Sequence, residues 1–334
     1  MDEPSAVLGE KDLEKLFQVV RSLQADGIGI IYISHRLKEI FEVADQVTVL
    51  KDGRYVDTRP VADVTMDELV RMMIGRDLKD VYPKRNPQPG PMLLEVNHLA
   101  RQGALQDITF HLQAGEIVGF AGITGAGRTE LARVIFGADP PTSGELKLYG
   151  EPYQARSPGE AIRRQIAFVT EDRKGQGLFL KQAVTNNTTI SGLKALCRGW
   201  IIRLRQELAL VQKMIKQLRI KTPGPEFLVV NMSGGNQQKV ILARWLSIGT
   251  RVLILDEPTR GIDVGSKSEI YQIMDDLTKQ GVGIIMISSE LPEVLGMSDR
   301  IMVMREGKLV KELTRAEANE EQIMLHAVGA AAAA

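Results

Sequence analysis

The sequence has one cysteine, few aromatic residues, no surplus of either charge and no long apolar run. Cys197 has no second cysteine to pair with, so an internal disulfide and a cysteine-based zinc site are both excluded. The 42 basic residues balance 42 acidic residues, whereas proteins that mainly bind nucleic acid carry a basic surplus, so we expect no nucleic-acid partner. No apolar run approaches the ~18–20 residues needed to cross a bilayer, and we expect no membrane-spanning helix.

The rest of the composition is that of an ordinary folded protein. Hydrophobic residues make up 44% of the chain and charged residues 25%, which is enough apolar material for a core. The 334 residues fit two domains of roughly 100–200 residues each.

The chain contains an offset copy of part of itself. Residues 2–5, Asp-Glu-Pro-Ser, recur as residues 256–259, Asp-Glu-Pro-Thr, at a shift of 254. The same shift, without a gap, aligns glycines and aliphatic residues as far as Gly75, which matches Gly329. Composition alone could make two strand–helix segments look alike, but it does not align glycines without a gap. We therefore expect residues 1–78 to be the C-terminal remnant of a first domain, and residues 92–330 to be its complete second form.

Prolines and charged residues dominate the segment between the two copies, which predicts a stiff, polar linker over residues 79–91. Within the second copy, short aliphatic runs at 116–121, 252–255 and 284–287 alternate with helix-like stretches. This alternation predicts an α/β fold with a parallel core sheet. The region of about 175–245 is mainly helical in pattern and predicts a separate helical lobe.

A glycine-rich turn follows the first aliphatic run and precedes a helix. This is the context of a phosphate-binding loop, in which glycines let backbone amides surround phosphate oxygens at a helix N-terminus. A threonine at the loop's end supplies a hydroxyl for Mg²⁺, while an arginine stands where this pattern expects lysine. An ordinary glycine-rich turn is the alternative interpretation. The predicted loop consists of Gly122, Ile123, Thr124, Gly125, Ala126, Gly127, Arg128 and Thr129.

Two carboxylates end the second aliphatic run. At the C-terminal end of a parallel strand beside a phosphate loop, Asp256 can hold Mg²⁺ and Glu257 can orient or deprotonate an attacking water. Solvated acids that cap a strand are the alternative interpretation. The predicted loop and the two acids support each other, because both belong to nucleotide chemistry.

A Ser-Gly-Gly sequence opens another helix 23 residues before Asp256. Such a helix N-terminus can bind an anion, although a simple N-cap at a turn is the alternative. We expect it to face a nucleotide held by a partner domain. Its residues are Ser233, Gly234, Gly235, Asn236 and Gln237.

In this order, the motifs resemble those of the nucleotide-binding domains of ABC transporters. More closely, the whole chain is similar to the fused, double-domain ATPase subunit of monosaccharide importers of the ribose/galactose/xylose type. The quoted motifs are residues 125–131, 170–174, 236–239, 256–263 and 287–291. The resemblance implies a P-loop NTPase fold for residues 92–330, and the end of a second such domain for residues 1–78.

The resemblance also implies roles for individual residues. The loop binds the triphosphate, with Thr129 and Asp256 at Mg²⁺ and Glu257 as the catalytic carboxylate. Glu171 stands where most of these domains carry a glutamine that touches Mg²⁺. Residues 233–237 are the signature loop that covers a nucleotide on the opposite domain, and Asp263 lies at the dimer seam.

Three residues depart from the family's common pattern, and all belong to the same predicted site. They are Arg128, Glu171 and Ser289, the last standing where a histidine usually contacts the γ-phosphate. The first copy keeps that histidine as His35, and Glu3 matches Glu257. The resemblance implies that these two are remnant catalytic residues of the first domain.

The function that this resemblance implies is ATP binding and hydrolysis, with ATP and Mg²⁺ as cofactors, coupled to monosaccharide import. The implied partners are membrane permease subunits, a second nucleotide-binding domain in a homodimer or on a separate chain, and, indirectly, a periplasmic or extracellular sugar-binding protein. The implied location is peripheral, on the cytoplasmic face of the cell membrane. The alternative function is a truncated nucleotide-binding module that does not hydrolyse ATP. A DNA-repair or translation ATPase fits less well, because basic arms are lacking.

Overall fold

A computed structural model describes the chain except for residues 3, 6–9, 35, 52, 75–81, 155 and 330–334. The chain divides into two compact units, one of residues 1–82 with 261–269 and the other of residues 83–260 with 270–334. The predicted boundary at 78 falls among residues outside the described ranges. In the part of the chain that is described, no helix is long and apolar enough to cross a membrane.

Residues 1–82 of the first unit contain three α-helices and one hairpin among the residues that the structure describes. These are α1 (Glu10–Ala25), α2 (Leu37–Val43), β1 (Gln46–Lys51), β2 (Arg54–Pro60) and α3 (Met66–Ile74). Its buried residues form two apolar clusters, one around Phe17, Val20 and Val43 and the other around Val49, Val64 and Leu69.

The rest of the chain alternates strands and helices. The strands are β3 (Met92–Arg101), β4 (Leu105–Gln113), β5 (Ile117–Ala121), β6 (Ser143–Leu148), β7 (Glu151–Tyr153), β8 (Ile166–Val169), β9 (Cys197–Arg198), β10 (Ile201–Ile202), β11 (Val252–Asp256), β12 (Gly283–Ile287), β13 (Arg300–Arg305) and β14 (Lys308–Thr314). The helices are α4 (Arg128–Ile135), α5 (Pro158–Arg163), α6 (Val184–Thr189), α7 (Leu193–Leu196), α8 (Leu204–Gln217), α9 (Gly234–Leu246), α10 (Val264–Lys279), α11 (Leu291–Met297) and α12 (Glu320–Val328).

A six-stranded sheet forms the core of the second unit, in the order β14-β13-β5-β12-β11-β8. The strands from β13 to β8 are parallel, and β14 pairs antiparallel at one edge. Strands β5, β11 and β12 are buried along their whole lengths, which explains their continuous aliphatic sequences. A second, antiparallel sheet has the order β4-β3-β6-β7. The predicted parallel α/β core is present.

The internal repeat extends to the bounds of the secondary structure. The elements α1, α2, β1, β2 and α3 begin and end 254 residues before α10, α11, β13, β14 and α12. Both hairpins even have their register shift at the matching place, between Val49 and Leu50 and between Val303 and Met304. The same local sequence pattern therefore gives the same local structure twice.

A buried hydrogen-bond network is repeated as well. In the first unit, Ser5 and Ser34 donate hydroxyl hydrogen bonds to the carboxylate of Glu39. In the second unit, Thr259 and Ser288 donate in the same way to Glu293. Each carboxylate is almost fully buried, and these donors offset the cost of removing its charge from water.

Burial distinguishes the two copies. Ile31 is 79% exposed, whereas its counterpart Ile285 on β12 is 1% exposed. The reason is that β12 lies between β5 and β11 in the six-stranded sheet. The matching stretch of the first unit makes one isolated parallel bridge among the described residues, between Asp2 and Ile33.

Part of the predicted linker is anchored in the second unit. The side chain of Arg85 is 2% exposed and forms ion pairs with Asp275, at 3.3 Å, and Asp299, at 2.7 Å. Asp299 also accepts a hydrogen bond from the amide of Ile117, at the start of β5. The polar residues of this segment therefore include one that joins a helix end to a core strand.

The predicted helical lobe, residues 175–245, contains α6 to α9 and also the short hairpin of β9 and β10. Arg244, in α9, donates hydrogen bonds to the carbonyls of Asn187, at 2.8 Å, and Gly177, at 2.7 Å. Burial lowers the pKa of Arg244 to about 10. This buried side chain holds the loop before α6 and the helix α6 itself against α9.

Candidate functional site

The glycine-rich loop lies between the buried strand β5 and helix α4. Gly122, Gly125 and Gly127 have positive φ angles of 158°, 81° and 98°, a region in which residues with a side chain are strained. The first helical hydrogen bond runs from the Leu131 amide to the Gly127 carbonyl, at 3.0 Å. The amides of the three residues between them therefore lack intrahelical acceptors. Such free amides at a helix N-terminus are suited to an anion.

Two neighbouring turns fix the shape of this loop. The amide of Gly307, in the turn between β13 and β14, donates to the carbonyl of Ala126 at 3.0 Å. The Gly307 carbonyl accepts from the Gln106 amide at 2.7 Å. A Cβ atom on Gly127 would lie 3.1 Å from the carbonyl oxygen of Ala104. The close approach of three backbone segments therefore explains why glycine is required here.

A cavity of about 300 Å³ opens beside the loop. It is lined by Gly103, Ala104, Gln106, Gly125, Gly127, Glu130, Glu306 and Gly307. Of these residues, the sequence motif identified only the two loop glycines. The turn residues 103–104 and 306–307 were missed, although glycine at a predicted strand–strand turn is a signal that could have found them.

The hydroxyl of Thr129 donates a hydrogen bond to the carboxylate of Asp256, with 2.7 Å between the oxygens. Thr129 is in the first turn of α4 and Asp256 is the last residue of β11. Burial raises the pKa of Asp256 above its ordinary value, while the Thr129 hydrogen bond and the positive charge of Arg128 oppose that rise. The structure thus brings together the two residues predicted to share a metal ion.

Glu257 follows directly on β11 with a positive φ of 49°. Its amide donates to the carbonyl of Ile287, at 2.9 Å, at the end of the adjacent strand. Its carboxylate accepts a hydrogen bond from the hydroxyl of Ser289, at 3.1 Å. Burial raises the pKa of Glu257 to about 7, and the Ser289 hydrogen bond and the Arg128 charge limit the rise. A carboxylate with this pKa is suited to accept a proton near neutral pH.

Arg128 crosses from the loop to the end of β12. Its guanidinium donates a hydrogen bond to the carbonyl of Ser288 at 2.8 Å. The guanidinium is therefore held next to Ser289, so two of the three departures from the common family pattern lie side by side. The third, Glu171, lies beyond β8, and its carboxylate pairs with Arg260. No hydrogen bond among the described residues joins Glu171 to Thr129 or Asp256.

The Ser-Gly-Gly turn begins helix α9. Ser233 is exposed and Gly235 is buried. The Asn236 amide group donates to the Ser233 hydroxyl at 2.9 Å. Gln237 is buried, and its side chain donates to the carbonyl of Val229 at 3.1 Å. In this arrangement the start of the predicted signature loop is accessible, whereas Gln237 stabilises the turn that precedes the helix.

The carboxylate of Asp263 caps the beginning of α10. It accepts hydrogen bonds from the amide of Ser266, at 2.9 Å, and from its hydroxyl, at 2.7 Å. The remaining two predicted residues, Glu3 and His35, lie outside the residues that the structure describes.

The oxygens of Thr129 and Asp256 are of the kind that Mg²⁺ prefers. Among the described residues, no group of three or more histidine, cysteine, aspartate and glutamate side chains could hold a metal ion. A magnesium ion held here by Thr129 and Asp256 would need further ligands from phosphate oxygens and water, as is usual for Mg²⁺ with nucleotides. The Thr129 hydroxyl and the Asp256 carboxylate lie 2.7 Å apart, next to the glycine-rich loop, and therefore fit a magnesium ion bound to phosphate.

Comparison with known proteins agrees with this geometry. The family model described as "ABC transporter" matches residues 105–260, a range that includes the loop and both acids. The ribose import ATP-binding protein RbsA of Bacillus licheniformis is 49% identical over 330 residues, covering 98% of this chain and 67% of the relative. Ribose import ATP-binding protein RbsA 1 of Rubrobacter xylanophilus is 50% identical over 325 residues, covering 97% of this chain and 65% of the relative. The chain thus spans about two thirds of the length of these relatives.

A solved structure shares the fold. The crystal structure of a nucleotide-free ATP-binding cassette from an ABC transporter superposes with a TM-score of 0.59 at 18% identity, covering 71% of this chain and 95% of that chain. The likeness confirms the predicted fold class.

Proposed function

Because the chain belongs to the ABC transporter family of ATP-binding proteins, we propose that it binds ATP with Mg²⁺ and couples ATP hydrolysis to monosaccharide import through a membrane permease. The observation that carries the proposal is the 2.7 Å hydrogen bond between Thr129 and Asp256. It joins the first turn of α4 to the acidic end of the core strand β11. This is the arrangement that holds a triphosphate and its metal ion in P-loop enzymes.

The glycine loop binds the phosphates through its amides, and the first turn of α4 adds positive potential. Thr129 and Asp256 would hold the metal ion, which would supply positive charge to neutralise the phosphates. Arg128 adds a second positive charge at the end of β12. These groups orient the terminal phosphate toward Glu257.

Glu257 acts as the general base in this proposal. Its pKa of about 7 makes it basic enough to take a proton from water, while leaving much of it ionised at neutral pH. Ser289 holds the carboxylate by its hydrogen bond and so positions it. At this position the hydroxyl of Ser289 takes the place of the histidine ring that is usual in the family.

A second nucleotide-binding domain completes the site, in a homodimer or on a separate chain. The exposed residue Ser233 and the turn that follows it offer amides to a nucleotide held by that partner. The family resemblance implies that Glu171 would help to hold the metal ion, and its ion pair with the exposed residue Arg260 would have to open for that. The two nucleotide-binding domains lie on the cytoplasmic face of the membrane and contact the permease there. A sugar-binding protein contacts the permease on the opposite face.

The alternative, a nucleotide-binding module without hydrolysis, is less well supported. Its basis is the departure of Arg128, Glu171 and Ser289 from the common pattern. The relatives that match 97–98% of this chain are named import ATP-binding proteins. In addition, Glu257 and Ser289 lie in direct contact, so the departure at 289 leaves the carboxylate positioned.

The test is to measure ATP binding and phosphate release by the purified chain and by Glu257→Gln. We expect binding to be kept and release to fall at least about 100-fold, because the variant has no base for the water. Glu151→Gln changes an exposed carboxylate on β7 and serves as the matched control, with unchanged release. Equal release by Glu257→Gln and the unchanged chain would refute the assignment of the base.

The loop is tested separately with Gly127→Val. The added side chain meets the Ala104 carbonyl at a backbone φ of 98°, so we expect ATP affinity to fall at least tenfold while the fold persists. Gly150→Val is the control, because Gly150 also has a positive φ but no atom lies within 4 Å of the position that a Cβ would take. An unchanged affinity in Gly127→Val would contradict the loop assignment.

A further inference from the structure

The positive charge of this neutral chain is unevenly distributed. Residues 190–221 contain eight lysines and arginines and one acidic residue, Glu207. The rest of the chain therefore has 34 basic and 41 acidic residues, an acidic surplus of seven. The single acid in the basic segment is buried and accepts a hydrogen bond from the Thr189 hydroxyl at 2.8 Å. The exposed charges of this segment are accordingly all positive.

The segment carries a tight hairpin at its most exposed point. Strands β9 and β10 pair Arg198 with Ile201, so Gly199 and Trp200 form a two-residue turn. Gly199 supplies the positive φ, 63°, that such short turns require. Trp200 lies at the tip of the hairpin and is fully exposed.

Further apolar side chains continue from the tip along α8. Ile201 is 75% exposed, Leu204 71% and Leu208 41%. Leu204 and Leu208 are four residues apart, so they lie on one face of the helix. We call Trp200 and these three residues, together with Arg198, Arg203 and Arg205, the hairpin patch. Exposed apolar groups that lie together in this way mark an interaction surface.

The three arginines of the hairpin patch are all exposed. Arg203 also fixes the base of the hairpin, because its guanidinium donates to the carbonyl of Ala195 at 2.8 Å. The patch therefore combines an exposed tryptophan tip, aliphatic side chains and positive charge within one short stretch. Tryptophan favours the boundary between water and lipid, since its ring is apolar and its N–H is polar.

We propose that the hairpin patch binds directly to the surface of a bilayer that contains anionic lipids. Trp200 and Ile201 insert among the headgroups, and the arginines pair with lipid phosphates. The charge distribution argues for this occupant, because a strongly cationic surface with apolar tips complements an anionic interface. This contact goes beyond the proposed ATPase function and requires neither nucleotide binding nor hydrolysis.

The chain offers its own fluorescent probe. Its two tryptophans are Trp200, fully exposed, and Trp245, 8% exposed within the protein. Adding vesicles of phosphatidylcholine with 30% phosphatidylglycerol to the full chain is expected to shift the emission to shorter wavelength and to protect it from acrylamide. Binding to vesicles of phosphatidylcholine alone is expected to be at least tenfold weaker. In 0.5 M salt, binding to the anionic vesicles is expected to weaken by a similar factor.

Substitutions locate the contact. Arg198→Glu with Arg205→Glu is expected to weaken vesicle binding more than tenfold, and Ile201→Ser to weaken it severalfold. The control is Arg163→Glu with Lys311→Glu, the same change of charge at two exposed positions elsewhere in the second unit, with a smaller loss. Each variant is checked for ATP binding, which should be unchanged.

Several results would overturn the proposal. They are a lack of binding to anionic vesicles, equal binding to neutral vesicles, binding without any change in Trp200 emission, and an equal loss in the control pair. A Trp200 shift that depends on protein concentration without vesicles would assign the patch to self-association instead. Failure of ATP hydrolysis would leave the vesicle results unaffected, so the two proposals are tested independently.

Discussion

Replacing Glu257 with glutamine is expected to stabilise the protein at neutral and alkaline pH. Burial raises the pKa of the folded carboxyl to about 7, from an ordinary value of 4.5. Between about pH 4.5 and pH 7 the Glu257 carboxyl is protonated in the folded chain and ionised in the unfolded chain. The free energy of unfolding therefore falls as the pH rises through this range. Glutamine does not titrate and retains an oxygen that can accept the Ser289 hydrogen bond.

The size of the effect follows from the shift. A difference of roughly 2.5 pH units at about 1.4 kcal/mol each gives an upper value of about 3 kcal/mol, reached above pH 7. Below about pH 4.5 the carboxyl is protonated in both states, and its contribution to the difference vanishes. The advantage of the variant should therefore grow from about pH 4.5 to about pH 7 and then level off.

The assay is urea unfolding of both proteins at pH 5, 6, 7 and 8, followed by circular dichroism. Glu151→Gln is the matched control on an exposed strand, and it should show a much smaller change with pH. A Glu257→Gln advantage that stays constant over this range, or a loss of stability at pH 8, would refute the reasoning. Such a result would mean that burial does not hold a proton on this carboxyl.

Three further substitutions test the contacts around the site. Arg85→Ala removes one ion-pair partner from each of two buried aspartates, of which Asp275 keeps Lys279 at 2.6 Å. It should lower the free energy of unfolding by about 3 kcal/mol in urea titrations, whereas Lys84→Ala, at an exposed position, should change it by less than about 0.5 kcal/mol. Arg244→Leu leaves the carbonyls that it bonds unpaired and should cost about 2–3 kcal/mol in the same measurement. Ser289→Ala removes a hydrogen bond that lowers the pKa of Glu257, so the acid limb of the pH profile of phosphate release should move up by roughly 0.5–1 unit; an unmoved limb would contradict the positioning role.

The sequence was sufficient for the features that depend on local pattern. Aliphatic runs predicted the buried strands, and the glycine spacing predicted the turn before α4. The repeat at a shift of 254 predicted matching segments, and the bounds of the elements agree to the residue. These features are encoded by neighbouring residues, so a single sequence reveals them.

Contacts between distant residues were beyond the reach of the pattern. Arg85 looked like one more polar residue of a linker, because its partners lie 190 and 214 residues away. The hairpin at Trp200 was missed within a segment of helical pattern, since its strands have only two residues each. The burial of Gln237 against the Val229 carbonyl also depends on a turn whose geometry the motif does not specify.

The matching hairpins of the two units have a consequence for how stability is studied in this molecule. Strands β1 and β13 begin, end and change register at equivalent positions, 254 residues apart. Only β13 pairs in addition with β5 among the described residues. Each amide of one hairpin thus has an internal reference 254 positions away, with the same chemistry and a different neighbourhood. Comparing hydrogen–deuterium exchange at Val49 and Val303 would isolate what a third strand adds to a hairpin, within one polypeptide and one sample.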